Sequence, residues 1–374
     1  MKEGWKYKRL GEIATYINGF AFKPSDWSIE GIPIIRIQNL TGTQLHFNKC
    51  SRKDIPEKYI VRNGDVLISW SATLGVFEWE LGDAYLNQHI FKVVFDKEEI
   101  NKKYFEYAIS ISINLMFQYT NGATMKHIRK GDFDNIRIPV PPLSEQQAIV
   151  SRLDSAFAKI DAVKANAEKQ LNDAKALFQK ELSKAMISKE GWEEKKLGEV
   201  CRVINGRAYS KEEMLDKGKY RLLRVGNFFT NDTWYYSDLE LDEDKYCDNG
   251  DLLYAWSASF GPRIWDGEKV IYHYHIWKME CSDDVDKRYM FYWLDSDVLK
   301  KQALTNLHGS TMAHITKAVI EKSIVGIPTL SEQQAIVSHL DTLSEKLKTV
   351  EERQKTIMAE CDAMKQALLR EVFE

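Results

Sequence analysis

The sequence predicts an α+β fold in which two mixed α/β domains, each with a curved and mostly antiparallel sheet, are separated by two long helices forming an antiparallel coiled coil. Three observations predict it: the chain repeats itself at an offset of 187 residues, half of its 374; each repeat opens with β-type alternation; and each closes on a long helical pattern. The offset is far above the roughly 20 to 50 residues of solenoid repeats. A duplicated domain with an internal pseudo-twofold is therefore expected.

The repeat is read from paired segments that recur in the same order. The run LSEQQAIVS occupies 143–151 and again 330–338. Four further pairs are GWKYKRLGE (4–12) with GWEEKKLGE (191–199), ING (17–19) with ING (204–206), NGDVLISWSATLG (63–75) with NGDLLYAWSASFG (249–261), and GATMKHI (122–128) with GSTMAHI (309–315). The pattern predicts two domains, 1–142 and 189–329, and two helices, 143–188 and 330–374.

Within each predicted domain, β-branched and alternating runs are punctuated by NG, GD and DG turn signals. The clearest runs are IPIIRIQNL, DVLISW, HIFKVVF, YRLLRVGNF and VIYHYHIW. Alternation is lost at 101–118 and 287–304, where short helices are expected. Proline signals, IPVPPL and IPTL, close each domain.

Each long helix is predicted to start at a capping box, formed by Ser144 with Gln147 and by Ser331 with Gln334, with Leu143 and Leu330 as hydrophobic staples. Apolar or small residues then recur at spacings of four and three, which favours a coiled coil. The predicted seam comprises Ile149, Leu153, Ala156, Ile160, Val163, Ala167, Ala174, Leu177, Ile336, Leu340, Leu343, Leu347, Val350, Ile357, Cys361, Met364 and Leu368.

Two glutamines, Gln170 and Gln354, interrupt this seam, either as tolerated polar positions or as residues that set the register. About 40 helical residues rising 1.5 Å each would span roughly 60 Å. If the second helix pairs with the first it must run back along it, so we expect the two domains at opposite ends of the pair.

Composition is that of an ordinary globular protein, with 44% apolar and 29% charged residues. No apolar run approaches the roughly 20 residues of a membrane span, and the N-terminus lacks a signal-peptide core. We expect a cytoplasmic protein without membrane contact. The first 187 residues hold 26 Lys+Arg against 22 Asp+Glu (+4) and the remainder 26 against 33 (−7). Bulk charge gives no support for a nucleic-acid partner, so any such face must be local.

Motifs for chemistry are not found. The sequence contains no GxxxxGK[ST], GxGxxG or HExxH, and Pro141–Pro142 lacks the flanking residues of a DNA-amino methyltransferase. The five cysteines are scattered, which predicts isolated reduced thiols without disulfide or metal. His273 and His275 share a strand face, but Asn87 and His89 stand in their place in the first repeat, which disfavours a metal site. These observations predict a protein that is not an enzyme.

The ordered set of segments, present twice, resembles the specificity subunits of type I restriction-modification systems over essentially the whole chain. The resemblance rests on LSEQQAIVSRLD and LSEQQAIVSHLD, the LGE openings, the NGD…WSA segments, and GATMKHI and GSTMAHI. It implies two target recognition domains that each read one half of a bipartite asymmetric site in double-stranded DNA, and two helices that act as a spacer.

The resemblance also implies partners. Such subunits are not catalytic alone and carry no cofactor; two modification subunits bring S-adenosylmethionine and methylate adenine, and restriction subunits bring ATP- and Mg-dependent translocation and cleavage. The alternatives are a specificity subunit of a related system with a fused methyltransferase-nuclease, a coiled-coil scaffold that binds protein or glycan, and an autonomous DNA methyltransferase.

Candidate DNA contacts follow from comparing the repeats, because a side chain identical in both cannot make two half-sites differ. Shared residues are expected to be scaffold or phosphate contacts, and divergent polar residues are candidates for base readout. The shared set is Arg36, Arg224, Ser69, Ser71, Ser257, Ser259, Thr124, Thr311, His127 and His314, beside Trp70 and Trp256. The divergent set is Lys23, Gln38, Asn39, Thr73, Lys126, Arg129, Arg207, Asn227 and Arg263.

Overall fold

A computed structural model describes residues 4–70, 75–119, 130–257, 259–305 and 316–373, without the side chains of 113–119, 300 and 303–305. Its contacts divide the chain into two compact units. Unit 1 is Met1–Asn166 with Ile357–Glu374, and unit 2 is Ala167–Thr356. Each unit thus combines one sheet-rich globule with a segment of each long helix. The division into two recognition domains and two spacer helices remains a prediction.

The strands of the first repeat are β1 (Lys6–Arg9), β2 (Thr15–Asn18), β3 (Ile32–Ile35), β4 (Asn48–Cys50), β5 (Ile60–Val61), β6 (Val66–Ser69), β7 (Gly75–Glu78), β8 (Ala84–Leu86), β9 (Ile90–Val94) and β10 (Arg137–Val140). Those of the second are β11 (Glu193–Lys196), β12 (Cys201–Asn205), β13 (Tyr220–Leu223), β14 (Tyr235–Ser237), β15 (Tyr246–Cys247), β16 (Leu252–Ser257), β17 (Ser259–Ile264), β18 (Val270–Tyr272), β19 (Ile276–Cys281) and β20 (Ile324–Ile327).

The helices of the first repeat are α1 (Leu10–Ile13), α2 (Ile37–Leu40), α3 (Lys102–Tyr119), α4 (Lys130–Asp134) and α5 (Leu143–Met186). Those of the second are α6 (Leu197–Val200), α7 (Val225–Phe229), α8 (Lys287–Asp295), α9 (Asp297–Thr305), α10 (Lys317–Glu321) and α11 (Leu330–Phe373). The predicted helical stretches correspond to α3 and to the pair α8 and α9, which is broken at the buried Ser296.

Both repeats build the same sheets. The first has the orders β2-β9-β6-β7 and β4-β3-β8-β5 with a β1-β10 ribbon, and the second has β12-β19-β16-β17 and β14-β13-β18-β15 with a β11-β20 ribbon. The described pairs are antiparallel except β3 with β8 and β13 with β18. The predicted α+β class, two sheet-rich domains each followed by a long helix, is confirmed.

In unit 1, the end of α11 completes the core of the globule. Leu369, Val372 and Phe373 are buried together with Leu10 and Tyr104. The Phe373 and Tyr104 ring centroids lie 5.4 Å apart. Burying such side chains stabilises each by about 1.5–3 kcal/mol, so this globule depends on a helix that is remote in sequence.

Unit 2 is completed in the same way by the end of α5. Leu182 and Met186 are fully buried against Tyr289 and Trp293 of α8. The two ends of each long helix therefore serve the cores of different units.

One buried glutamine fixes the start of each long helix to its globule. The Gln333 Oε1 accepts from the Asp286 amide (2.7 Å), and its Nε2 donates to the carbonyls of Asp284 and Pro328 (both 2.9 Å). The equivalent Gln146 accepts from the Asn101 amide (2.9 Å) and donates to the Pro141 carbonyl (2.8 Å). Neither side chain is more than 1% exposed.

An aspartate two turns later adds a second tether in each unit. Asp154 accepts from the Tyr107 hydroxyl of α3, and Asp341 accepts from the Tyr292 hydroxyl (2.6 Å) and from Arg288 of α8. The repeated LSEQQAIVSxLD segment is thus a docking motif between helix and globule.

The predicted capping boxes are wrong, because both helices begin earlier than Ser144 and Ser331 allow. In α11 the box is Thr329 with Glu332, whose carboxylate accepts from the Thr329 amide (3.1 Å) while the Thr329 hydroxyl accepts from the Glu332 amide (3.3 Å). Leu143 and Leu330, predicted as staples, are the first helical residues, and Leu330 is 45% exposed.

In unit 1, the segments of α5 and α11 run antiparallel. Residue numbers rise along α5 and fall along α11 in the ion pairs Arg152–Glu371, Asp161–Lys365 and Lys164–Asp362. Leu153 and Ile160 are buried and Phe157 is half-buried, whereas Val163 and Met364, predicted in the seam, are 52% and 55% exposed. The next residue along each helix, Lys164 or Lys365, is half-buried instead. Lys365 Nζ lies 5.3 Å from the Phe157 ring centroid.

In unit 2, the helix segments are also antiparallel, as shown by Gln170 with Gln354 and Lys175 with Glu351. Gln354 occupies a buried position, 6% exposed, and its Nε2 donates to Gln170 Oε1 (3.1 Å). Leu177, predicted in the seam, is 61% exposed, whereas Leu171 is buried and Phe178 packs against the core of unit 2.

Replacing Gln333 by Ala should lower the free energy of unfolding by about 2 kcal/mol, because one buried amide and two carbonyls lose their partner. Urea denaturation measures the loss, and hydrogen exchange at the Asp286 amide should accelerate. Gln334→Ala, at the exposed neighbouring position, is the matched control. Equal effects of the two substitutions would contradict the anchoring role.

Candidate nucleic-acid interface

Two arginines occupy equivalent positions immediately after a central strand. Arg36 follows β3 and precedes α2, with φ −113° and ψ 160°; Arg224 follows β13 and precedes α7, with φ −112° and ψ 164°. The matching backbone shows that the offset alignment is structurally correct here. The Arg36 guanidinium lies 5.6 Å from the Trp27 ring centroid, and that of Arg224 lies 5.3 Å from the Tyr235 ring.

These arginines differ from the other candidate arginines in their electrostatics. Within the described part of the chain, no carboxylate forms a salt bridge with Arg36 or Arg224, whereas Arg207 makes a bidentate pair with Glu213 (3.0 and 2.6 Å). Arg263 is held by Asp266 (2.8 Å) and by the Phe228 carbonyl (2.9 Å). The uncompensated charge at Arg36 and Arg224 is suited to an anion such as phosphate.

The asparagines beside them brace a loop. Asn39 Nδ2 donates to the carbonyls of Gln44 (3.0 Å) and His46 (3.1 Å), and Oδ1 accepts from the Arg36 amide (3.0 Å). Asn227 Nδ2 donates to the carbonyls of Asn231 (2.9 Å) and Thr233 (2.8 Å). Because these amides are used internally in both repeats, a role for them in base readout is not supported. Gln38, which is exposed, has Gly226 as its counterpart.

Unit 2 carries an exposed aromatic surface around Arg224, which we call the aromatic face. Its members are between 37% and 42% exposed. They are Phe229, Tyr235, Phe260 and Tyr274.

Phe229, Phe260 and Tyr274 are linked through Trp256 and Gly261, and Tyr235 lies against Arg224. The Trp256 ring lies 6.2 Å from that of Tyr274, and Phe260 is the β-ladder partner of Trp256. Gly261, next along the chain, lies against the Phe229 ring. Exposed rings near an uncompensated cation can stack on nucleobases while the cation contacts the backbone.

His273 is half-buried beside this surface, with its ring centroid 4.4 Å from that of Tyr274. Burial, the neighbouring His275 and the charge of Arg224 lower its pKa to about 4. The imidazole is therefore neutral at pH 7, and it can exchange single hydrogen bonds but does not supply charge.

The shared tryptophans pack the sheets, as one of the sequence interpretations proposed. Trp70 stacks on Phe91 at 5.6 Å, and Trp256 stacks on Trp277 at 5.5 Å. The Trp70 indole donates to Asn18 Oδ1 (3.2 Å), and that of Trp256 to the Tyr274 carbonyl (2.8 Å). His89, whose ring is 5.0 Å from Trp70, has the left-handed φ of 73°, a strained conformation for this residue type.

Several remaining candidates are not at an accessible surface. Ser69 is fully buried and Ser257 is 7% exposed, so neither hydroxyl can reach phosphate in this conformation. Ser259 and Lys23 are exposed. Outside the described residues lie Ser71, Thr73, Thr124, Lys126, His127, Arg129, Thr311 and His314.

Sequence reasoning did not find the aromatic face or Trp27. No motif marks these aromatic residues, and only the structure shows that they are exposed. The signal available was the tyrosine and phenylalanine excess around Arg224, in YRLLRVGNFFTNDTWYY.

A second surface lies on the helix segments of unit 2. A mainly apolar cavity of about 470 Å³ opens between α5 and α11. Its lining is Ala174, Leu177, Phe178, Glu181, His339, Leu343, Lys346, Leu347 and Val350. The exposed Leu177 belongs to this groove.

No group of three His, Cys, Asp or Glu side chains with metal-binding proximity occurs among the described residues. In the part of the chain that the structure covers, no helix has the length and apolar character needed to cross a bilayer.

Comparison with known proteins identifies the family. The model for the type I restriction modification DNA specificity domain matches residues 2–173 and again 189–359. The chain is 27% identical, over 91% of its length and 86% of the relative, to the MjaVIII specificity subunit of Methanocaldococcus jannaschii. It is 22% identical to the EcoBI specificity subunit of Escherichia coli, over 99% and 86%.

A solved chain from work on complex assembly and conformational transition of the type I R-M system has a TM-score of 0.72 at 19% identity, covering 99% of this chain and 97% of that one, which shows the shared fold. Specificity subunits are recognition subunits and not enzymes. Matched twice along its length, the chain belongs to the type I restriction-modification DNA specificity family.

Proposed function

We propose that each repeat reads one half of a bipartite, asymmetric DNA site, and that the chain directs adenine methylation or cleavage by partner subunits. One observation carries the proposal: the two repeats share sheet topology and an uncompensated arginine at the same strand end, yet the side chains around that arginine differ. Two unlike readers on one scaffold require an asymmetric target.

The arginines and their surroundings have separate roles in this proposal. Arg36 and Arg224 contact phosphates and fix the position of each globule on the duplex, which carries no sequence information by itself. Around Arg36 stand Trp27 and Gln38, whereas Arg224 is surrounded by the aromatic face and Gly226. These differing groups read base edges or stack on bases, so each half-site differs in sequence.

The paired long helices set the distance between the half-sites. Two readers on a stiff spacer recognise half-sites about one helical turn apart, the spacing logic of dimeric DNA-binding proteins. The antiparallel contacts found within each unit support this role.

Chemistry and its cofactors come from partners: modification subunits with S-adenosylmethionine, and restriction subunits with ATP and Mg. We propose that the groove lined by Leu177 and Leu343 receives an apolar helix face of a modification subunit. Leu177 is 61% exposed and lies in an apolar recess. A large apolar side chain exposed in such a recess is typical of the core of a protein–protein interface.

Replacing Arg224 by Ala should weaken binding of the assembled complex to all DNA sequences and reduce the slope of log affinity against log salt by about 1, since one phosphate contact is lost. Fluorescence anisotropy at several salt concentrations measures this. Arg202→Ala is the control, because Arg202 is exposed and paired with Glu280 (2.9 Å). A changed base preference at one position would instead make Arg224 a base reader.

Exchanging residues 189–329 for the corresponding domain of another such subunit should rewrite one half of the methylated motif and leave the other half intact. The expected wild-type result is a two-part adenine motif, mapped by methylome sequencing in a host that carries the chain and its partners. A change in both halves would contradict the assignment of one reader per repeat, and a motif in one part would contradict the bipartite site.

Replacing Leu177 by Glu should abolish co-purification with modification subunits, because a charge would be desolvated in the apolar recess. The exposed leucine can be changed without loss of the fold, which circular dichroism checks. Ala176→Glu adds the same charge at an exposed position outside the groove and should leave assembly intact. Assembly that survives Leu177→Glu would exclude this groove as the docking surface.

A further inference from the structure

Two of the five cysteines lie directly opposite one another in unit 2. Cys201 begins β12 and Cys281 ends β19, and they are partners in the antiparallel ladder. The prediction that all cysteines are isolated is wrong for this pair, because strand pairing joins positions that are distant in sequence. Both are free thiols.

The backbone hydrogen bonds show which kind of ladder position they occupy. The Ser282 amide donates to the Val200 carbonyl (2.9 Å), so the neighbouring pair is the hydrogen-bonded one. Since hydrogen-bonded and non-hydrogen-bonded pairs alternate, Cys201 and Cys281 form a non-hydrogen-bonded pair, whose Cα atoms are typically about 4.5 Å apart. That distance falls within the roughly 4.4–6.8 Å that a disulfide spans.

Cys281 is the more accessible of the two thiols. The Cys201 thiol donates to the Arg202 carbonyl (Sγ to O, 4.0 Å). The facing Cys201 thiol and the Lys287 charge lower the pKa of Cys281, whereas the facing Cys281 and burial raise the pKa of Cys201. Cys281 is half-buried and Cys201 is buried, and both line an open cavity of about 440 Å³ with Arg202, Glu280, Lys317 and Glu321.

The other cysteines lack this combination. Cys50, Cys247 and Cys361 are buried, and Cys50 and Cys247 belong to separate core clusters. Access and a partner thiol therefore coincide only at Cys281 among the described cysteines.

We propose that Cys201 and Cys281 are an oxidative modification site, at which a hydroperoxide such as hydrogen peroxide forms a cross-strand disulfide. The Cys281 thiolate attacks one peroxide oxygen, the O–O bond breaks, and with one proton the products are the Cys281 sulfenic acid and water. The Cys201 sulfur then displaces the hydroxyl, which leaves as a second water with the Cys201 proton. Two thiols are oxidised by two electrons, and one peroxide is reduced to two waters.

The disulfide would tie the edge strand β12 to β19 in the sheet that also carries Trp256 and Phe260. A cross-link between residues 80 positions apart in sequence restricts the unfolded chain strongly. Oxidation should therefore raise the unfolding temperature of the full chain. The inference concerns a site separate from Arg224, so it does not depend on the DNA-reading proposal.

The test treats the reduced full-length chain with hydrogen peroxide, blocks the remaining thiols with iodoacetamide, and maps peptides by mass spectrometry without reduction. The expected product is a Cys201–Cys281 peptide pair that is lighter by two hydrogen atoms and separates on adding dithiothreitol. Cys281→Ser should lose the product completely, and Cys201→Ser should leave a sulfenic acid on Cys281 that dimedone traps. Cys361→Ser, the control, should retain the cross-link.

Overoxidation of Cys281 without a cross-link, or equal linkage among the other cysteines, would overturn the proposal. Circular dichroism checks that the serine variants fold. If one does not, the wild-type peptide map alone decides, because it requires no substitution.

Discussion

The structure depends on the coupling of each globule to two helix ends. A buried glutamine, Gln146 or Gln333, holds the start of one long helix, and apolar residues at the end of the other helix complete the core. Each glutamine side chain bonds to backbone groups both in the globule and next to the helix start. A shift of the helix relative to the globule would therefore leave buried polar groups unpaired. The strict repetition of LSEQQAIVS is then explained by geometry: Gln146 and Gln333 make the anchor, while the apolar residues that follow bury the first turns. Helix direction in each unit follows from these two attachments.

A scaffold shared by the two repeats leaves the surface around each arginine free to differ. Asn39 and Asn227 brace the loop after an equivalent strand, and Arg36 and Arg224 have nearly the same backbone conformation. Phe20 and Phe77 of the first repeat stand where the second has Arg207 and Arg263, and matched ladder positions confirm this alignment. Those arginines are paired internally, so they build the globule of unit 2 rather than displaying charge. Divergence between repeats is therefore partly structural, and only part of it belongs to recognition.

The sequence predicted what repetition and periodicity encode: the duplication, the sheet-rich domains, the long helices and their starts to within a residue. It missed what depends on three-dimensional partners. The predicted seam included Val163 and Leu177, because apolar residues three and four apart fit two alternative helix faces. In the structure the buried face runs through Phe157 and Leu171 instead. Ser69 resembled a surface hydroxyl but lies inside a strand buried on both sides. The opposition of Cys201 and Cys281 required the strand register, and the exposure of Phe229 and Phe260 required the sheet geometry.

Compensated charge explains how an acidic repeat can still serve DNA recognition. The second half of the chain carries 26 Lys+Arg against 33 Asp+Glu, and cations near the sheets, such as Arg221 and Lys269, are paired with Glu268 and Glu243. Non-specific DNA binding arises from many phosphate contacts, which cations paired with carboxylates are poorly placed to make. Arg224 differs because it faces aromatic rings instead of a carboxylate. Under the proposed function, Arg224 supplies a phosphate contact, and discrimination between sequences comes from the shape and stacking of the groups around it.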